Sequence, residues 1–178
     1  MKMNNKDRNS FVKREITSTL ITMMSEVPFD KISISDLVAR AQVGRASFYR
    51  NFIDKQDVLQ QESNRLMAEW GGKFKFDEVD KSSSTLISFL DFLKKHQKFY
   101  TTLFFTGHDD ILQKAILQQF SIPEDSPNII AYLASSVGYM TYGWVYEWIK
   151  RGMQESGTEL ARMFEKAQGN GSPKTLGD

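Results

Sequence analysis

The stretch Ser33–Lys55, SISDLVARAQVGRASFYRNFIDK, decides how the rest of the chain is read. Ser33 is a strong helix N-cap, and Asp36 sits three residues on, a shorter stand-in for the Glu of a capping box. Ile34, Leu37, Val38 and Ala41 then share one helical face. Ala41 is small where two helices must cross closely. Gln42-Val43-Gly44 reads as a turn, with Val43 plugging the core beneath. Arg45–Asn51 reads as a short second helix with Phe48 and Phe52 facing inward. Two helices joined by so short a turn make a helix–turn–helix. The outward positions of the second helix are Arg45, Ser47, Arg50 and Asn51. Arg suits guanine or phosphate, Asn suits adenine, and Ser suits either a base or a phosphate. Ala46 offers a methyl group and permits close approach. The face carries no carboxylate, which phosphates would repel.

Helical spacing continues on both sides of this stretch. Val12, Ile16, Leu20, Met23 and Val27 lie on one face of a preceding helix, which Pro28 ends. A longer helix runs from near Asp54 to Trp70, where Gly71-Gly72 stops it. Further helices are marked by Leu86, Phe89, Leu90 and Leu93; by Phe99, Leu103 and Phe104, ending at Gly107; and by Ile111, Leu112, Ile116 and Phe120, closed by Pro123. A long helix from Pro127 to Gly152 and a last one from Gly157 to Ala167 complete an all-α chain. The expected organisation is a helix–turn–helix domain over residues 1–55, a helical regulatory and dimerisation domain over 56–168, and a disordered tail over 169–178.

Composition narrows the chemistry. The 178 residues include no Cys and only two His, His96 and His108. Disulfides, thiolate metal sites and a Cys nucleophile are excluded, and no metal or other cofactor is implied. No paired-carboxylate or nucleophile–base set stands out, so an enzyme is not expected. The net charge of +1 hides an asymmetry: residues 1–75 carry +4 and residues 76–178 carry −3. That suits a basic contact module on a mildly acidic body. Residues 1–10 are polar and basic with no apolar core of a signal peptide, giving a cytoplasmic expectation. Ser126–Tyr146 is free of charge, yet its Pro, Asn, Ser, Gly and Tyr residues suit a buried or interface helix better than a membrane span.

Residues 11–59 resemble the DNA-binding domain of the TetR family of bacterial transcription regulators. Leu37, Ala39, Ala41, Val43, Phe48-Tyr49, Phe52, Lys55 and Leu59 carry the resemblance. Tyr142-Gly143-Trp144 and Glu147–Met153 resemble the regulatory domain of a Firmicute-type subgroup, some of whose members resemble activators of dihydroxyacetone utilisation. The resemblance implies a repressor that binds a palindromic operator as a homodimer and answers a small-molecule effector; the alternative is a co-regulator acting through a partner protein. It implies that Tyr49 and Lys55 touch phosphates, and that Ser33 and Ser35 hold the DNA backbone. It also implies that Arg45, Ala46 and Ser47 face the bases, with Arg50 and Asn51 flanking them. Two positions depart from the family, which often has Gly at Gln42 and Ser or Thr at Gly44.

Two further sets are expected in the body. Trp70, Phe74, Phe89, Phe92, Phe99, Tyr100, Phe104, Tyr139 and Trp144 are candidates to line an effector cavity, against the plain reading of aromatics at helical spacing as core. Ala131, Ser135, Gly138 and Tyr142 form a small-residue stripe which, with Leu160, Met163 and Phe164, is expected to build a four-helix dimer interface.

Overall fold

The computed structural model describes residues 5–71 and 82–169. Expectations for Phe74 and for the tail beyond Gly169 lie outside the described residues. All the regular structure described is helical: α1 (Asn5–Met24), a single 3-10 turn (Phe29–Lys31), α2 (Ile34–Arg40), α3 (Arg45–Asn51), α4 (Lys55–Trp70), α5 (Ser82–Lys95), α6 (Gln97–Phe105), α7 (Asp109–Gln119), α8 (Asn128–Lys150) and α9 (Gly157–Gly169). Among the described residues no helix is long and apolar enough to cross a membrane.

Most helix ends follow from local chemistry. At Ser33 the hydroxyl accepts from the Asp36 N–H at 3.0 Å and donates to the Asp36 carboxylate at 2.6 Å. Asp is one methylene shorter than Glu, and here its carboxylate takes the cap's hydroxyl. α2, α6 and α8 share one C-terminal design. The N–H groups of Val43, His108 and Met153 reach back five residues, to Val38, Leu103 and Trp148, at 2.8–3.0 Å. The preceding residue stands in the left-handed region: Gln42 at φ 55°, Gly107 at 77° and Gly152 at 84°. These are Schellman motifs, which favour Gly at that position because it has no Cβ to crowd the backbone.

One end differs from expectation. α1 closes at Met24, where the N–H groups of both Glu26 and Val27 turn back onto the Met23 carbonyl. Val27 therefore leaves the Val12–Met23 face and is exposed. The restriction that Pro28 imposes holds Val27 itself out of the helix.

The chain forms two compact units, neither contiguous in sequence. Unit 1 comprises residues 1–69 and 98–116, so α1 to α4 are joined by α6 and the first two turns of α7. Its core includes Ile16, Leu20, Leu37, Phe48, Leu59, Leu66, Tyr100, Leu103, Ile111 and Leu112, all essentially inaccessible to water. Unit 2 holds residues 70–97 and the chain from Leu117 onward. There α5 packs on α9, and Leu93, Val145, Trp148 and Ile149 are buried. The α9 N-terminus is braced from α5: Asp91 accepts from the Gly157 N–H at 3.1 Å, and Lys94 donates to the Glu155 carbonyl at 2.9 Å.

Candidate nucleic-acid interface

Within unit 1, α3 is anchored by what it buries. Phe48 is fully enclosed and meets Phe52 at 5.7 Å between ring centroids. Gly44 is the N-cap of α3 in extended conformation, with no side-chain cap. Opposite the buried edge, Arg45, Ala46, Tyr49 and Arg50 are exposed, while Ser47 is half-buried. The Arg45 guanidinium lies over the Tyr49 ring, 5.7 Å from its centroid, and the Tyr49 ring sets its edge against Phe48 at 5.3 Å. This stack pre-orders two long side chains on the outward face.

Three expected contact residues are turned to internal work. The Asn51 amide nitrogen donates to the Ser47 carbonyl at 2.8 Å, closing the last turn of α3. The Ser33 hydroxyl is engaged in the cap of α2, whereas Ser35 is exposed beside it. Lys55, expected at a phosphate, donates instead to the Phe29 and Ile32 carbonyls at 2.7 and 2.6 Å and lies over the Phe29 ring. An ammonium has three protons and no acceptor role, and two carbonyls plus a ring face use it fully.

Sequence reading missed the braces behind α3. Gln61 donates to the Asn51 carbonyl at 3.0 Å and to Asp57 at 2.9 Å, and Lys13 of α1 donates to Gln61 at 2.8 Å. Glu26 and Arg40 form a two-bonded ion pair between the α1–α2 turn and the end of α2, which lowers the Glu26 carboxyl below its ordinary range through the Arg40 hydrogen bond. Apart from Gln61 and Asp57, four residues apart on α4, the partners lie 10 to 48 residues apart, beyond any local spacing rule.

The body residues separate by unit. In unit 1, Phe99 and Tyr100 are buried in edge contact at 5.2 Å, and Phe104 is half-buried against Phe105. The Tyr100 hydroxyl has no hydrogen-bond partner among the described residues; burial, and after it the Glu62 carboxylate, raises its ionisation well above that of an ordinary phenol. In unit 2, Trp70 and Phe89 are buried at 4.9 Å, Trp70 Nε1 reaches Ser88 Oγ at 3.3 Å, and Phe92 is half-buried beside His96. Tyr139 is 55% exposed, so it stands apart from the buried aromatics.

The small-residue stripe of α8 is turned inward at Gly138. A Cβ there would come within 3.1 Å of Leu117 and 3.3 Å of Phe120, so the end of α7 and the residue just after it fill the space that Gly leaves. Ala131 and Tyr142 are half-buried and Ser135 is exposed. Leu160 is buried, Met163 exposed, and Phe164 pairs with Trp144 at 5.0 Å. The opposite face of α8 holds the exposed apolar residues: Ile129, Tyr132, Leu133 and Met140, with Gly143 in open space.

Residues 16–61 match the family model described as bacterial regulatory proteins, tetR family. No curated protein matches the chain. Among solved structures, the chain is similar to Lin0861 from Listeria innocua, with a TM-score of 0.73 and 18% identity over 94% of each chain. It is also similar to the dihydroxyacetone kinase operon activator DhaS, with a TM-score of 0.61 and 20% identity over 88% of this chain and 93% of that one. At these identities the likeness is one of fold.

Proposed function

We propose, on the premise that the tetR-family domain at residues 16–61 makes this chain a DNA-binding transcription regulator, that two copies pair and each sets α3 in a major groove of a palindromic operator. The observation that carries this reading is the outward face of α3: Arg45, Ala46, Tyr49 and Arg50 are exposed together, and the helix contains no carboxylate. Arg45, Ala46 and Ser47 read bases, with Asn51 at the edge of the groove. Tyr49, Arg50 and Ser35 hold phosphates.

Pairing uses the exposed face of α8, with Met163 of α9 beside it. Ile129, Tyr132, Leu133 and Met140 lie exposed on that one face, and apolar side chains grouped on a surface favour a protein partner over water. A helix–turn–helix dimer spans half-sites about 34 Å apart, which ties operator symmetry to this pairing. A small-molecule effector reaching the buried Phe99 and Tyr100 of unit 1, with Tyr100 as a hydrogen-bonding anchor, shifts operator affinity; a coupling of about 1–3 kcal/mol suffices. On an operator that overlaps a promoter, such a dimer represses by excluding polymerase.

A gel shift with DNA upstream of the chain's own gene tests the reading. Salt-sensitive binding is expected, and Arg45→Ala should cost about 1–3 kcal/mol and relax base preference. Absence of salt-sensitive binding to any fragment there would overturn it.

A further inference from the structure

Phe29 stands in the turn between α1 and α2, and two groups hold its ring. The Lys55 ammonium lies 4.4 Å from the ring centroid, and the His108 ring meets it edge-on with centroids 4.4 Å apart. Lys55 also fixes the backbone of the same turn through the Phe29 and Ile32 carbonyls. Ile32 is buried and directly precedes Ser33, the cap of α2.

His108 is itself fixed by α6. The Thr106 hydroxyl gives its one proton to the Thr102 carbonyl at 2.7 Å, so His108 donates its Nδ1–H to Thr106 Oγ1 at 3.2 Å. Its backbone N–H closes α6 on Leu103. At the other end of α6, Lys98 reaches Thr22 of α1 at 3.4 Å. All of these residues belong to unit 1.

We propose that Phe29 is a positioning residue for DNA binding, the joint through which the α6–α7 turn sets the angle at which α2 presents α3. The path is short: His108 on the Phe29 ring, the Phe29 and Ile32 carbonyls on Lys55, and Ile32 on the cap of α2. A shift of the α6–α7 turn takes His108 off the ring and loosens the 29–32 segment. Lys55 acts here as a clasp on that segment, with its charge spent internally. The proposal rests on the DNA-binding reading and adds the place where a signal from the body enters the reader.

The test uses the full chain and a duplex that the unsubstituted chain selects from a random-sequence pool. His108→Ala is expected to weaken binding about fivefold or more, with the slope of log affinity against log salt unchanged. In the DNA-free protein it should also speed amide exchange over residues 32–37. Phe29→Leu should behave alike, and Phe29→Tyr, which keeps the ring, should restore both properties. Lys55→Met should lose affinity at unchanged slope. Unchanged affinity and exchange in His108→Ala would overturn the joint. So would a slope that falls by about 1.8 in Lys55→Met, the signature of two lost phosphate contacts per dimer. If the unsubstituted chain selects no duplex, the regulator reading fails, while the exchange comparison still tests the joint.

Discussion

Gln42 occupies the one left-handed helix end that lacks glycine among the three Schellman motifs of α2, α6 and α8. A side chain in that conformation costs about 1–2 kcal/mol, part of which the greater entropy of unfolded Gly gives back. Gln42→Gly should therefore raise stability by about 0.5–1 kcal/mol in denaturant unfolding. Gly44→Ser should add a smaller gain, about 0.2–0.5 kcal/mol, by supplying the missing side-chain cap of α3. The backbone there is already extended, and a Cβ meets nothing nearer than Ser47 Oγ at 3.8 Å. Both positions were legible in the sequence as departures from the family pattern. The inward turn of Lys55 was not, because its carbonyl partners lie 23 and 26 residues upstream and no spacing rule joins them.

Helices were the most legible elements, since 3.6-residue periodicity and end signals both act locally. α3 runs over Arg45–Asn51 as the spacing predicts, and α6 ends just before its left-handed Gly107. What escaped is which face of a helix a distant element covers. α8 shows this: its small residues suggest a surface for a partner, yet Gly138 is filled by Leu117 and Phe120. The start of α9 makes the same point. A Cβ on Gly157 would sit 2.4 Å from Asp91 Oδ1 and 3.0 Å from the Asp91 backbone nitrogen, on a helix 66 residues earlier. Gly157→Ala should then destabilise the protein by about 1–3 kcal/mol, as crowding of a packed contact does. Thermal unfolding measures it, and a neutral result would mean that α5 and α9 are not so closely joined.

At the scale of the molecule, the exposed face of α8 carries Gly143 amid apolar neighbours, with nothing within 4 Å of its would-be Cβ. In a subunit that stays alone, such a mid-helix Gly only costs stability, by about 0.5–1 kcal/mol relative to Ala. Against a second copy it permits close approach. Gly143→Arg should therefore turn a dimer into a monomer in sedimentation, with α-helical content unchanged. If the mass stays that of a dimer, pairing uses another surface. The all-α class was legible throughout. The division into units was not, because residues 98–116 return to a core that residues 1–69 begin.

That return has a consequence for the order of synthesis. Once Trp70 has left the ribosome, every residue of the α2–turn–α3 pair has been made. Yet Tyr100, Leu103, Ile111 and Leu112, which complete the core beneath it, are still to come. Contacts of such sequence separation form late and slow the folding of the whole. A nascent chain that stops short of residue 116 thus carries the outward face of α3 on an unfinished support, and that face matures only as the later helices are being built.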